Sequence, residues 1–155
     1  DAVTSDEMER LKAKTGADVA KTAIFLCFQD QNWYEDKELS ELLRGPLSRL
    51  CVAYFHEKDH KGRALDPVAR FHLKNGAQLN QINWLGDTSE KGISQASGIM
   101  VNYRYDLADI EKNHERFMND GSVVMSSQVR SYLKQLGGEL GAESTFAKLK
   151  RTIAG

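Results

Sequence analysis

The sequence predicts a mixed α/β fold, and three observations carry that expectation. Apolar residues recur at three-and-four spacing through residues 4–56, the mark of helices with one buried face. Two later stretches, "AQLNQINWL" (residues 77–85) and "SVVMS" (residues 122–126), have strand character instead. Helical stretches separate and follow them, so the order helix–strand–helix–strand–helix points to packed α/β layers rather than an all-helical bundle. A chain of 155 residues with 41% apolar content is long enough for one domain with a core of its own.

Each element has its own signal. Thr4 and Glu7 form a capping box ahead of Met8 and Leu11. Asp18 is placed to cap a second helix, with Ala20, Ile24, Cys27 and Phe28 on one face. Leu39, Leu42, Leu43, Leu47, Leu50, Cys51 and Tyr54 continue a buried stripe, interrupted by Gly45-Pro46. Proline suits a first helical turn, so one helix is expected to end near Arg44 and another to start on Pro46. The polar stretch "HEKDHKGRAL" reads as a long exposed loop. Asp66-Pro67 then starts a short helix that Asn75-Gly76 ends.

Beyond the first strand candidate, Asp87, Thr88 or Ser89 caps "SEKGISQASGIMVNYRYDL", read as a helix with Gly92, Ala96 and Met100 on one face. Alternation in "GIMVNYRY" makes a strand there the second choice. Residues 107–117 are charged and helical in pattern. Residues 127–136 form an amphipathic helix stopped by Gly137-Gly138. Residues 1–138 are assigned to one domain and residues 139–155 to a weakly ordered tail.

Charge and cysteine usage narrow the function classes. A net charge of -1 provides no general attraction for nucleic acid or an anionic membrane, so an anionic ligand needs a local cluster. Cys27 and Cys51 sit among apolar residues without a CxxC spacing, which reads as two buried thiols in a reducing compartment. No apolar run approaches a membrane span and no signal peptide is visible. The chain opens on Asp1, as expected of a processed protein or a fragment.

His56, His60 and His114 lie in polar surroundings and read as solvated. His56 and His60 are four apart, but nothing completes a metal set, and no metal site is assigned. Neither a G-x-S-x-G elbow nor a phosphate-binding glycine motif occurs. His72 stands between Phe71 and Leu73, and spacing alone leaves it open whether it is a satisfied core histidine or a catalytic one. Tyr103 and Tyr105, in "YRY", read by themselves as core rings around one snorkelling arginine.

"RGPLSRLCVAYF" and "GRALDPVARFHLKNGAQLNQINWLGDTSEKGISQASGIMVNYRYDL" resemble the C-terminal part of malonyl-CoA decarboxylases over about residues 35–107. The P-x-A-x-F-H-L-x-N-G-A run, the I-N-W strand, the S-x-x-G-I segment and the M-x-N-Y-x-Y ending occur together and in order. The resemblance implies the C-terminal portion of a GNAT acyltransferase-like α/β domain, preceded by helices, with its sheet incomplete within this chain. It implies conversion of malonyl-CoA to acetyl-CoA and carbon dioxide, with no metal and no organic cofactor.

The family's Ser–His pair places the histidine at His72, while the serine's segment lies upstream of the matched part. His72 and Tyr105 are the implied catalytic residues; Asn75, Gly76, Asn102 and Tyr103 are the implied substrate-binding residues. Asn102, Tyr103 and Tyr105 are expected on a helix reaching toward the acyl group. Lys58, Lys61 and Arg63 either meet CoA phosphates or stay solvated. The chain is expected to need a missing N-terminal half or another chain, and to oligomerise as family members do. The alternative is an inactive structural or interaction subunit that kept the fold. Mitochondrial and cytoplasmic locations stay open; the ending "RTIAG" is not a peroxisomal S-K-L address.

Overall fold

In the computed structural model, which describes residues 2–59 and 62–137, helices lead and a small sheet follows. The elements are α1 (Ser5–Thr15), α2 (Ala20–Cys27), α3 (Lys37–His56), α4 (Pro67–Lys74), β1 (Gln78–Asn83), α5 (Glu90–Ala96), β2 (Met100–Arg104), α6 (Ile110–Asp120) and α7 (Ser127–Gln135). The mixed class expected from the sequence is what forms. The tail assigned to residues 139–155 and the stop at Gly138 lie outside the described residues.

Side-chain caps set most helix starts, because the first turn's N–H groups have no partner within the helix. Thr4 accepts from the Glu7 N–H, and the Glu7 carboxylate accepts from the Thr4 N–H at 2.8 Å. Asp36 accepts from Leu39 N–H, Asp66 from Ala69 N–H, Ser89 from Gly92 N–H and Ser126 from Val129 N–H. Asp18 is not the expected cap of α2. Val19 holds that position without a side-chain bond, and the Asp18 carboxylate instead pairs with Lys12 at the end of α1.

Two other expectations give way. α3 runs unbroken through Gly45 and Pro46. Pro46 removes one helical hydrogen bond at a cost of about 3 kcal/mol. Burial of Leu39, Leu42, Leu43, Leu47 and Val52 on the same helix, on the order of 2 kcal/mol each, exceeds it. Gly45 is there for space: a Cβ would run into the Glu7 carboxylate. Tyr54, expected in the buried stripe, is exposed, and Val52 and Ala53 are buried in its place.

The stretch after Ser89 is a helix and then a strand. Ser97 (φ 50°) and Gly98 (φ 73°) are both left-handed, which ends α5, so Met100 lies on β2 rather than on a helical face with Gly92 and Ala96. α6 likewise begins at Ile110 rather than residue 107, and Leu107 is 89% exposed. "SVVMS" forms a single parallel bridge, Met125 to Leu79, before Ser126 turns to cap α7.

β1 and β2 pair antiparallel, with Leu79 opposite Tyr103 and Ile82 opposite Val101. A bulge at Asn80 breaks the register. Without it, Leu79 and Ile82, three residues apart, would face opposite sides of the sheet; with it both are buried. Among the described residues β2 has no strand partner other than β1.

Two apolar clusters form the core, and α3 serves both. Leu39, Leu42, Leu43 and Leu47 pack with Leu11, Ala23, Cys27 and Trp33. Val52 and Ala53 pack with Leu79, Ile82, Met125, Val129 and Leu133. Leu50 touches both clusters. Next to it Arg49, 4% exposed, donates to the Ala2 carbonyl (2.8 Å), to Gln135 (3.0 Å) and to Glu7. Arg49→Ala leaves Glu7 without its cation, and the buried Ala2 carbonyl and the Gln135 side chain without their donor. The expected loss is about 3–5 kcal/mol of unfolding free energy, read from urea titrations. Arg49→Lys, which keeps the charge but not the fork, should lose less.

Candidate active site

α4 carries the central residue. Its short sequence holds its form through the Asp66 cap, Pro67 in the first turn and the buried pair Ala69 and Leu73. His72, at the edge of that buried face, is partly exposed. Its Nδ1 lies 2.9 Å from the Tyr105 hydroxyl. Its ring stacks on Tyr103, with centroids 4.3 Å apart and planes 15° from parallel. Phe71, 63% exposed, meets the imidazole edge-on at 5.3 Å. Nε2 makes no hydrogen bond to a described residue.

β2 explains why two tyrosines reach one histidine. Alternate strand residues share a face, so Tyr103 and Tyr105 project together toward α4. Asn102, one residue before Tyr103, goes to the opposite side, where its Oδ1 accepts from Asn83 Nδ2 at 2.9 Å. The expected helix over these residues is thus corrected to a strand that continues toward Tyr105. Of the six residues named from the resemblance, His72, Tyr103 and Tyr105 converge and Asn102 does not join them.

Asn75 and Gly76 close α4 beside this cluster. Asn75 is exposed and lines a shallow depression of about 550 Å³ with Lys74, Ile110, Glu111, His114 and Glu115; His72 is not in its lining. Asn75 keeps a negative φ of -87°, and Gly76 alone takes the left-handed turn at 82°. Gly76 is buried under α6: a Cβ would collide with the Ile110 carbonyl. Asn113, also buried, donates to the Gly76 carbonyl at 3.1 Å, and His114 Nδ1 lies 2.5 Å from the Lys74 carbonyl. Gly76→Ala combines a left-handed penalty of about 1–2 kcal/mol with this clash, so the thermal midpoint should fall by several degrees in a melt followed by circular dichroism.

Behind Tyr103 the surroundings hold acidic protons in place. Burial, reinforced by the Asp66 carboxylate and Cys51, pushes the Tyr103 hydroxyl well above the usual tyrosine range. Burial and then Asp66 push the Cys51 thiol up to about 12. Cys27 is also raised, chiefly by burial. Both cysteines are free. At pH 8 roughly one Cys51 in 10⁴ is thiolate, so iodoacetamide should label the native protein far more slowly than the protein in urea. The ordinary thiol value is 9.0, so any stability from keeping Cys51 neutral is fully present below pH 9 and lost as pH rises toward 12.

Several other polar side chains have structural partners. Ser89 caps α5, the Ser94 hydroxyl donates to the Lys91 carbonyl, and Ser97 closes the helix. Lys58 donates to the Asp120 carbonyl at 3.1 Å, and Arg63 pairs with Asp59 at 2.7 Å. His60 and Lys61 lie outside the described residues. His56, expected in solvent, is half-buried at the end of α3, and burial lowers its pKa. His114 is exposed. Among the described residues no three His, Cys, Asp or Glu side chains gather as a metal-ligand set. No described helix is long and apolar enough to cross a membrane.

Fold and site together define a mixed α/β domain with an imidazole set on a short helix against one tyrosine on a strand and a second just past the strand's end. Residues 3–142 match the family model of the malonyl-CoA decarboxylase C-terminal domain, and the chain belongs to that family. It is 44% identical over 106 residues to the mitochondrial malonyl-CoA decarboxylase of Anser anser anser, covering 68% of this chain and 21% of that protein. It is 37% identical over 132 residues to the mitochondrial malonyl-CoA decarboxylase of Mus musculus, covering 85% and 27%. Solved malonyl-CoA decarboxylases are similar in structure as well. The Rhodopseudomonas palustris protein gives a TM-score of 0.68 at 43% identity, covering 73% of this chain and 26% of its own. The Agrobacterium vitis protein gives 0.68 at 38%, covering 82% and 31%. The chain therefore spans roughly a fifth to a third of the relatives it matches.

Proposed function

We propose that this chain supplies the histidine-bearing part of a malonyl-CoA decarboxylase site, within a larger GNAT-like domain whose sheet continues beyond β2. The observation that carries the proposal is the His72–Tyr105 hydrogen bond, made between residues 33 apart in sequence and leaving Nε2 open. Family membership supports the reaction class, and the open Nε2 supports His72 as the group that acts.

Decarboxylation breaks the bond between the carboxylate carbon and C2 of the malonyl group. The electron pair moves into the thioester as an enolate while carbon dioxide leaves. C2 must then receive a proton to become the acetyl methyl group. In the proposed arrangement, protonated His72 offers Nε2–H to the malonyl group and Nδ1–H to the Tyr105 oxygen. When Nε2 gives its proton to C2, the neutral ring keeps Nδ1–H and its bond to Tyr105. No proton has to move between the two nitrogens, because the Tyr105 oxygen can accept from Nδ1–H in both states. The rings of Phe71, Tyr103 and Tyr105 offer apolar surface beside the imidazole, and cover from the rest of the enzyme would make a drier site, which favours a carboxylate departing as neutral carbon dioxide. Stabilisation of the enolate oxygen and binding of the CoA phosphates are assigned to parts of the enzyme outside residues 1–155, as is the serine partner.

The test is carbon dioxide release from malonyl-CoA by the complete polypeptide containing this chain. His72→Asn should lower turnover by roughly 10²–10⁴-fold, the scale of a positioned acid–base group. Tyr105→Phe, which removes one oxygen, should lower it by about tenfold with the fold intact. Normal turnover in His72→Asn would exclude the histidine from the chemistry and favour a structural role for the domain.

A further inference from the structure

Tyr103 is placed differently from Tyr105, and the difference assigns it a different role. Its ring lies face to face with the imidazole at 4.3 Å and 15°, whereas Tyr105 is tilted by 60° at 6.0 Å and bonds through its oxygen. The Tyr103 hydroxyl makes no hydrogen bond to a described residue. The ring is half-buried, packed against the cluster of Val52, Leu79 and Val129. Its partner across the sheet is the fully buried Leu79, one residue before the bulge at Asn80. The platform is therefore anchored from behind by the core, and its free face is covered by His72.

From this geometry we propose that Tyr103 is a positioning residue for His72, acting through its π face and not through its hydroxyl or by contact with the acyl-CoA. The proposal rests on the proposed role of His72 and adds to it the means of aiming Nε2. A hydrogen bond at Nδ1 leaves the imidazole free to swing about that contact. Stacking removes the swing by fixing the ring plane, and the two contacts together leave one direction for Nε2. The face that stacks on the imidazole is that of a phenol ring. The buried surroundings that hold the Tyr103 proton in place keep that face neutral.

The test uses Tyr103→Phe, Tyr103→Leu and the double variant His72→Asn/Tyr103→Leu in the complete enzyme, each first shown to be folded by its thermal melt. Phenylalanine keeps the face and loses the oxygen, so turnover should stay within about twofold of the parent. Leucine keeps apolar bulk and loses the face, so kcat should fall by about 3–10-fold with KM unchanged. In the His72→Asn background the same leucine should cost nothing further, because a residue that acts through His72 has nothing left to position. If leucine prevents folding, Tyr103→Met provides the same comparison.

A loss in Tyr103→Phe, or a rise in KM, would overturn the proposal in favour of direct substrate contact. An undiminished loss in the double variant would reduce Tyr103 to general packing. Full kcat in Tyr103→Leu would also overturn it. Failure of the underlying role of His72 is separately visible, as normal turnover in His72→Asn alone.

Discussion

Arg49 carries a permanent charge into the interior, and three parts of the chain are arranged around it. Its guanidinium reaches the backbone at Ala2, the Glu7 carboxylate on α1 and Gln135 on α7. Burying such a cation is costly unless its donors are matched, so these contacts oblige the N-terminal segment and the last described helix to meet α3 at one level. That fixes the rotation of α3 about its axis. Leu50, the next residue, then lies between the two apolar clusters, and Cys51 lies on the side that backs Tyr103. The same requirement explains the glycine in mid-helix: Gly45 leaves room for the Glu7 carboxylate beside Arg49. One buried charge thus links the helical N-terminal part to the layer that supports the candidate site.

Local chemistry was legible where it acts locally. Thr4 and Asp66 were readable as helix starts, and Ser89 as one of three neighbouring candidates, because a cap depends on two or three neighbouring residues. Gly76 was readable as a stop because few other residues take a left-handed φ without strain. Gly45-Pro46 misled because the local penalty is real, and the α3 side chains that offset it are buried by residues tens of positions away. The bulge at Asn80 was hidden for a related reason. Leu79 and Ile82 have helical spacing, and only the pairing with Tyr103 and Val101 shows that both belong to one face of a strand. Gly92 and Ala96 fit a helix and form one, but the left-handed pair Ser97-Gly98 ends it before Met100.

The candidate site was legible as a set of residue types and not as an arrangement. Spacing alone left His72 undecided, and resemblance singled it out without saying what it touches. The assumed helix over residues 102–105 would have separated the two tyrosines, since positions two apart on a helix differ by about 200°. On a strand they share a face, which is the condition for both rings to reach one imidazole. The same alternation removes Asn102 from the group. Phe71 gave no signal beyond its place beside His72. Asn113 gave none, although its side chain holds the Gly76 carbonyl and so the end of the helix that carries the histidine.

The elements that hold His72 are too small to keep their shape by themselves. An eight-residue helix and a two-stranded sheet are each marginal in water. α4 is held at its start by Asp66, along its length by Ala69 and Leu73, and at its end by Asn113 and His114 of α6. β1 is held on one side by β2 and on the other by the bridge from Met125 to Leu79. Those supports converge on Leu79, which is fully buried and lies opposite Tyr103. The orientation of the imidazole is therefore set by packing several residues behind it. Changes at Leu79 or in the bridge shift the stacking platform before they alter any group that touches His72, and that is how stability and site geometry become coupled in this domain.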